Sequence, residues 1–189
     1  IIIASRPIQM EYGIKLTVEN SVLEMSEGEY WNSVIELNGN TIDIQITNNT
    51  LIGSNGVGRG IYEDVYSGTI SDNIFKDLSI AVEADMHSVS ISDNIIETSQ
   101  DGLDLEADED NNNAADNSTC NISVTNNTIV NKGLKVSGNR GIEIYNDDDD
   151  ITAASFVVQG NKIINFDTGL YYYDDHSSGM SFTLGGTGH

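Results

Sequence analysis

Apolar residues in this chain tend to fall at every second position over short runs, and polar turn residues separate the runs. Ile14-Lys-Leu-Thr-Val18 alternates in this way, and Val34-Ile-Glu-Leu37 is a second β-biased run. Glu24 to Trp31 has only a faint helical look and reads as loop. From residue 42 onward the alternation becomes a repeat. Ile46-Thr-Asn-Asn49-Thr-Leu-Ile52 aligns with Ile70-Ser-Asp-Asn73-Ile-Phe75, Ile91-Ser-Asp-Asn94-Ile-Ile96, Val124-Thr-Asn-Asn127-Thr-Ile129 and Val158-Gln-Gly-Asn161-Lys-Ile163, with a weaker copy expected at Asn20. The Asn-to-Asn steps are 29, 24, 21, 33 and 34 residues.

Each copy has a second half: Gly60-Ile-Tyr-Glu-Asp64, Ser79-Ile-Ala-Val-Glu83, Gly102-Leu-Asp-Leu-Glu106, Gly141-Ile-Glu-Ile-Tyr145 and Gly169-Leu-Tyr-Tyr-Tyr173. A period of 21 to 34 residues holding two or three short strands, with no helical stretch between them, predicts a β-solenoid. One all-β domain over residues 1–189 is expected, with five to six coils across about 14–184. Ile61, Ile80, Leu103, Ile142 and Leu170 are expected to stack as a buried column. The repeated Asn is expected at an inward corner, bonding to backbone and to the same Asn one coil away. The two longest steps carry Asp108 to Asn117 and Asn146 to Asp150, both inserted after the Gly-apolar strand, so both overhang one side of the stack.

Charge narrows the partners. Thirty acids against eight bases give a net charge of −22, which repels nucleic acid and anionic membrane surfaces. Cys120 is the single cysteine, so the chain can form no internal disulfide. Sequons stand at Asn48, Asn117, Asn121 and Asn126, in keeping with a secreted setting. The opening Ile1-Ile-Ile-Ala-Ser-Arg-Pro7 is too short to span a membrane or form a signal core, so no membrane insertion is expected. With Met180-Ser-Phe-Thr-Leu184 starting another coil, the sequence reads as a segment of a longer chain, and flanking domains, caps or homo-oligomer contacts are expected at the open ends.

This repeat resembles the right-handed parallel β-helix superfamily, which contains pectate lyases, polygalacturonases and phage tailspikes. Ser99-Gln-Asp101-Gly-Leu-Asp104-Leu105 is similar to the Asn-Thr-Asp-Gly-Ile-Asp stretch of polygalacturonase-like hydrolases. The resemblance implies a single-stranded right-handed helix, with Asp101 as the carried-over catalytic acid and Asp104 its neighbour. The hydrolases' Gly-Asp-Asp, Gly-His-Gly and Arg-Ile-Lys stretches have no counterpart here. A lyase-like base would have to come from Lys132, Lys135 or Arg140.

Counting from the Gly of each second strand, with Ser79 standing in on one coil, places Tyr62, Asp64, Glu83, Asp104, Glu106, Glu143, Tyr145, Tyr171 and Tyr173 on one outward face. On that count Asp64, Glu83 and Glu106 form a column, and Asp104 lies beside Glu143. Three readings of the acids stand open. Asp104 with Glu106, and Glu143 alongside, have the spacing of a general acid/base pair for glycoside hydrolysis. Alternatively Ca2+ is held by Asp108, Asp110, Asp147 and Asp148, since hard cations take carboxylate oxygens. The third reading is a solvated acidic face. Tyr62, Tyr145, Tyr171 and Tyr173, with Asp64 and Glu83, suit a polysaccharide, which stacks on rings while its hydroxyls donate to carboxylates. His87, His176 and His189 lack zinc-ligand spacing.

Two function classes follow. One is an extracellular module that binds, and as a hydrolase or lyase cleaves, a polysaccharide, with a neutral glycan the easier ligand for so acidic a chain. The other is a non-enzymatic adhesin, surface-layer or virion-spike segment whose acids serve calcium or salt.

Overall fold

The computed structural model describes residues 1–11, 13–27, 29, 31–38, 41–63, 65–107, 119–134, 136–146, 153–174 and 181–185. Among them there is no α-helix, and every strand pairing is parallel. The strands fall into three faces. The first holds Ile2–Ala4, Val22–Met25, Thr50–Ile52, Ile74–Leu78, Ile95–Thr98, Thr128–Asn131 and Lys162–Ile164. The second holds Ile8–Met10, Ser33–Leu37, Arg59–Glu63, Leu103–Ala107, Arg140–Asn146 and Thr168–Asp174. The third holds Gly13–Glu19, Thr41–Thr47, Val65–Ser71, Thr119–Thr125, Ala153–Gln159 and Ser181–Gly185. The long strand Ile80–Ser92 serves the second face with its first half and the third with its second half. Each strand pairs with those one turn earlier and one turn later, an arrangement consistent with a parallel β-helix.

Among the described residues seven rungs are present, against the five to six expected. The first two carry neither the Asn repeat nor the Gly-apolar half, so alternation alone could not count them. The parallel register stacks like on like. Leu23, Leu51, Phe75, Ile96, Ile129 and Ile163 form one inward column. Ile35, Ile61, Val82, Leu103, Ile142 and Leu170 form the second. Val82 stands there instead of the expected Ile80, because Ala81, not Ser79, occupies the glycine position of that rung. Val18, Ile46, Ile70, Ile91, Val124 and Val158 form the third column. Nearly all of these side chains are buried, each contributing about 1.5–3 kcal/mol by leaving water.

The Asn repeat closes the corner between the third and first faces. Asn94 Nδ2 donates to Ile70 O and to Asn127 Oδ1, both at 2.9 Å, and its own Oδ1 accepts from Asn73 N at 2.9 Å and Asn73 Nδ2 at 3.0 Å. The same pattern links Asn49 to Asn73 and Asn127 to Asn161. The residue before each ladder Asn has positive φ: Asn48 54°, Asp72 57°, Asp93 58°, Asn126 58° and Gly160 66°. Only Gly, Asn and Asp adopt that conformation readily, so the doublet divides two tasks: the first residue turns the chain, the second bonds the rungs. Asn20 (φ 53°) is a turning residue, which corrects the expected ladder position. Ser21 follows it, and its backbone N–H ends the ladder on Asn49 Oδ1 at 2.9 Å.

Asn94→Ala would strand a buried backbone N–H and a buried carbonyl, so it is expected to lower unfolding free energy by about 2–4 kcal/mol. The exposed Lys162→Ala should stay within about 0.5 kcal/mol. Urea denaturation of the two variants checks this.

Candidate functional site

The second face carries the chemistry, and its glycines place it. A Cβ on Gly102 would lie 2.3 Å from the Gly141 carbonyl oxygen and 2.5 Å from Ile129, and one on Gly141 would lie 2.3 Å from Ile163. The chain therefore closes onto the core at this corner. The preceding residues, Arg59, Asp101 and Arg140, reach the outward columns.

Two such columns run along the stack. Glu36, Tyr62, Glu83, Asp104, Glu143 and Tyr171 are successive partners in the first. Asp85, Glu106, Tyr145 and Tyr173 are successive partners in the second. Asp104 stands beside Glu143 as expected. Glu83 and Glu106 do not share a column as expected, because Glu83 pairs with Tyr62 and Asp104, and Asp85 faces Glu106. The register slip came from aligning Ser79 with the glycines; a shift of two residues puts Ala81 there and brings Asp85 into view.

An open groove of about 360 Å³ is lined by Tyr62, Glu83, Ala84, Asp85, Asp104, Glu106 and Tyr145. It gathers five of the sequence-predicted site residues on adjacent rungs, Tyr62, Glu83, Asp104, Glu106 and Tyr145. Along the strand, Asp104 and Glu106 are two residues apart, about 6.5–7 Å. Burial, then the neighbouring Glu83 and Asp101 carboxylates, push the Asp104 carboxyl up to about 6, with Asp85 adding a little and Arg140 opposing.

Arginines flank the groove at both ends. Arg59 Nε meets Glu83 Oε2 at 2.5 Å, and its guanidinium lies 3.9 Å from the Tyr62 ring centroid and 5.0 Å from that of Trp31. Arg140 pairs with Glu143, donates to Tyr145 Oη at 2.8 Å and covers the Tyr171 ring at 3.8 Å. Sequence reasoning missed Arg59 altogether, although it precedes Gly60 as Arg140 precedes Gly141.

Four further predicted residues, Glu143, Asp101, Tyr171 and Tyr173, lie beside the groove. Glu143 is buried against Arg140. Asp101 accepts from the Arg140 backbone N–H at 2.6 Å, and burial raises its carboxyl above the usual range although Arg140 opposes. Tyr171 and Tyr173 meet Tyr145 edge-on, with centroids 6.2 and 6.1 Å away. Lys132 lies at another corner, 2.9 Å from Glu97. Asp64, Lys135, His176 and the calcium candidates Asp108, Asp110, Asp147 and Asp148 lie outside the described residues. Among the described residues, no group of three or more His, Cys, Asp or Glu side chains is arranged to hold a metal ion.

Comparison with protein-family models, with curated proteins and with solved structures finds no match for this chain.

The raised Asp104 value sets a sign. The folded chain holds this proton more tightly than an unfolded one, whose aspartates titrate near 3.8. Stability tied to the proton is complete below about pH 3.8 and is lost as pH rises through about 6. Asp104→Asn should therefore raise Tm at pH 7.5, by about 2–4 °C for roughly 1 kcal/mol, and the advantage should vanish by pH 4. Thermal unfolding across pH checks this, and carboxyl NMR should find the wild-type midpoint near 6.

Proposed function

We propose that this chain is a right-handed parallel β-helix module of the cell or virion exterior that binds a neutral polysaccharide in the groove of the second face. The observation that carries the reading is the groove itself, in which Tyr62 and Tyr145 stand on either side of Glu83, Asp104, Asp85 and Glu106. Rings offer apolar faces to sugar C–H surfaces, and carboxylates accept their hydroxyl protons. The arginines nearest the groove are engaged with Glu83 and Glu143, so nothing described there compensates the charge of a uronate chain.

The same groove supplies the parts of a hydrolase. Asp104, raised to about 6, stays partly protonated at mildly acidic pH and can protonate a glycosidic oxygen. Glu106, at about 6.5–7 Å, has the separation from which a base activates water in inverting hydrolysis. Binding is tested by calorimetry against neutral oligosaccharides. Tyr62→Ala should weaken it about tenfold or more, a loss of roughly 1.4 kcal/mol. Asp104→Asn should abolish any cleavage while keeping binding. Failure of every neutral glycan to bind would instead favour a structural surface protein.

Calcium is a separate part of the reading. In sequence, Asp108 and Asp110 follow the strand Leu103–Ala107, and Asp147 and Asp148 follow the strand Arg140–Asn146, so both acidic runs come after strands of the second face. Millimolar calcium should raise Tm beyond a sodium chloride series of matched ionic strength; equal effects would remove the ion from the account.

A further inference from the structure

Tyr145 lines the groove, yet its hydroxyl is tied behind it to Arg140 at 2.8 Å. Arg140 is itself held from three directions. Its backbone N–H donates to Asp101 Oδ1 at 2.6 Å, and its carbonyl accepts from Gly102 N at 2.9 Å. Its guanidinium packs on Tyr171 and pairs with buried Glu143. One terminal nitrogen, Nη1, serves both the Glu143 carboxylate and the Tyr145 hydroxyl while the guanidinium plane covers the Tyr171 ring, a combination that a shorter side chain with a compact ammonium does not reproduce. The acid that the hydrolase resemblance would make catalytic, Asp101, thus anchors this arginine and does not line the groove.

We propose that Arg140 is a positioning residue that fixes the Tyr145 ring in the groove wall, and that Asp101 acts through it. The inference rests on the groove being a glycan site, and it gives Arg140 a role other than that of a lyase base. Ligand recognition falls to the ring of Tyr145, because its hydroxyl is held by Arg140. Specificity at this end of the groove therefore depends on a relay running from Asp101 through Arg140 to Tyr145, across rungs whose register the core maintains.

The test is a double-mutant cycle read by calorimetry and NMR. Arg140→Lys keeps a positive charge beside buried Glu143, so the fold survives, but its shorter side chain loses the guanidinium's reach to Tyr145 and its stacking on Tyr171. With a neutral oligosaccharide that binds wild type, Arg140→Lys and Tyr145→Ala should each weaken binding about tenfold, and the double variant should be no weaker than Tyr145→Ala alone. Multiplying losses, about a hundredfold in the double variant, would overturn the proposal. A second readout needs no glycan: Arg140→Lys should move the ring resonances of Tyr145 and Tyr171 in carbon-13 tyrosine spectra and leave Tyr62 in place. Unmoved Tyr145 resonances would also overturn it. If no glycan binds wild type while those resonances move, the glycan reading falls and the positioning role stands.

Discussion

Every feature of this chain depends on rung-to-rung register, and the buried amide ladder is the interaction that enforces it. A slip of one residue would send each apolar column outward, and it would also break bonds that each ladder Asn makes to two neighbouring rungs. Burial alone favours any register that keeps apolar residues inside, including slips of two. The ladder distinguishes among these, because an amide bonded to carbonyl and amide at 2.9 Å has no partner elsewhere in the core. The segments between ladder residues can then differ in length, from 21 to 34 residues, without disturbing the stack.

That tolerance is what the acidic face uses. Between the second and third faces, the rung of Ile80–Ser92 runs straight through, whereas the two rungs after it carry extra residues there. The groove lies over the uninterrupted rung and its neighbours, which puts Glu83 and Asp85 in its floor. Carboxylates one rung apart repel, and the partial burial of Asp104 adds to that cost. The fold offsets the repulsion with arginine at two points, Glu83 by Arg59 and Glu143 by Arg140, and leaves Asp104 to hold its proton more tightly.

The fold was largely legible because repetition reports it five times over: Asn49 to Asn161 mark one corner, and Gly60 to Gly169 mark another. The first two rungs were not, since Ser21 carries the ladder position through its backbone alone and no residue type betrays it. The site was legible in composition but not in register. Tyr62, Asp104, Glu106 and Tyr145 were expected on one face and do line one groove, while Asp85 was hidden by an alanine doing a glycine's work at position 81. The roles of Arg59 and Arg140 follow from three-dimensional neighbours on other rungs, which no local spacing encodes.

Central to the account is that the tyrosines flanking the acids are the contact surface for a neutral glycan. The most direct measurement is a carbon-13 tyrosine NMR titration of the chain, which has eight tyrosines, with neutral oligosaccharides. Saturable shifts are expected at Tyr62 and Tyr145, with smaller ones at Tyr171 and Tyr173 through their contact with Tyr145. Shifts confined to tyrosines away from the second face, or none with any neutral glycan, would contradict it.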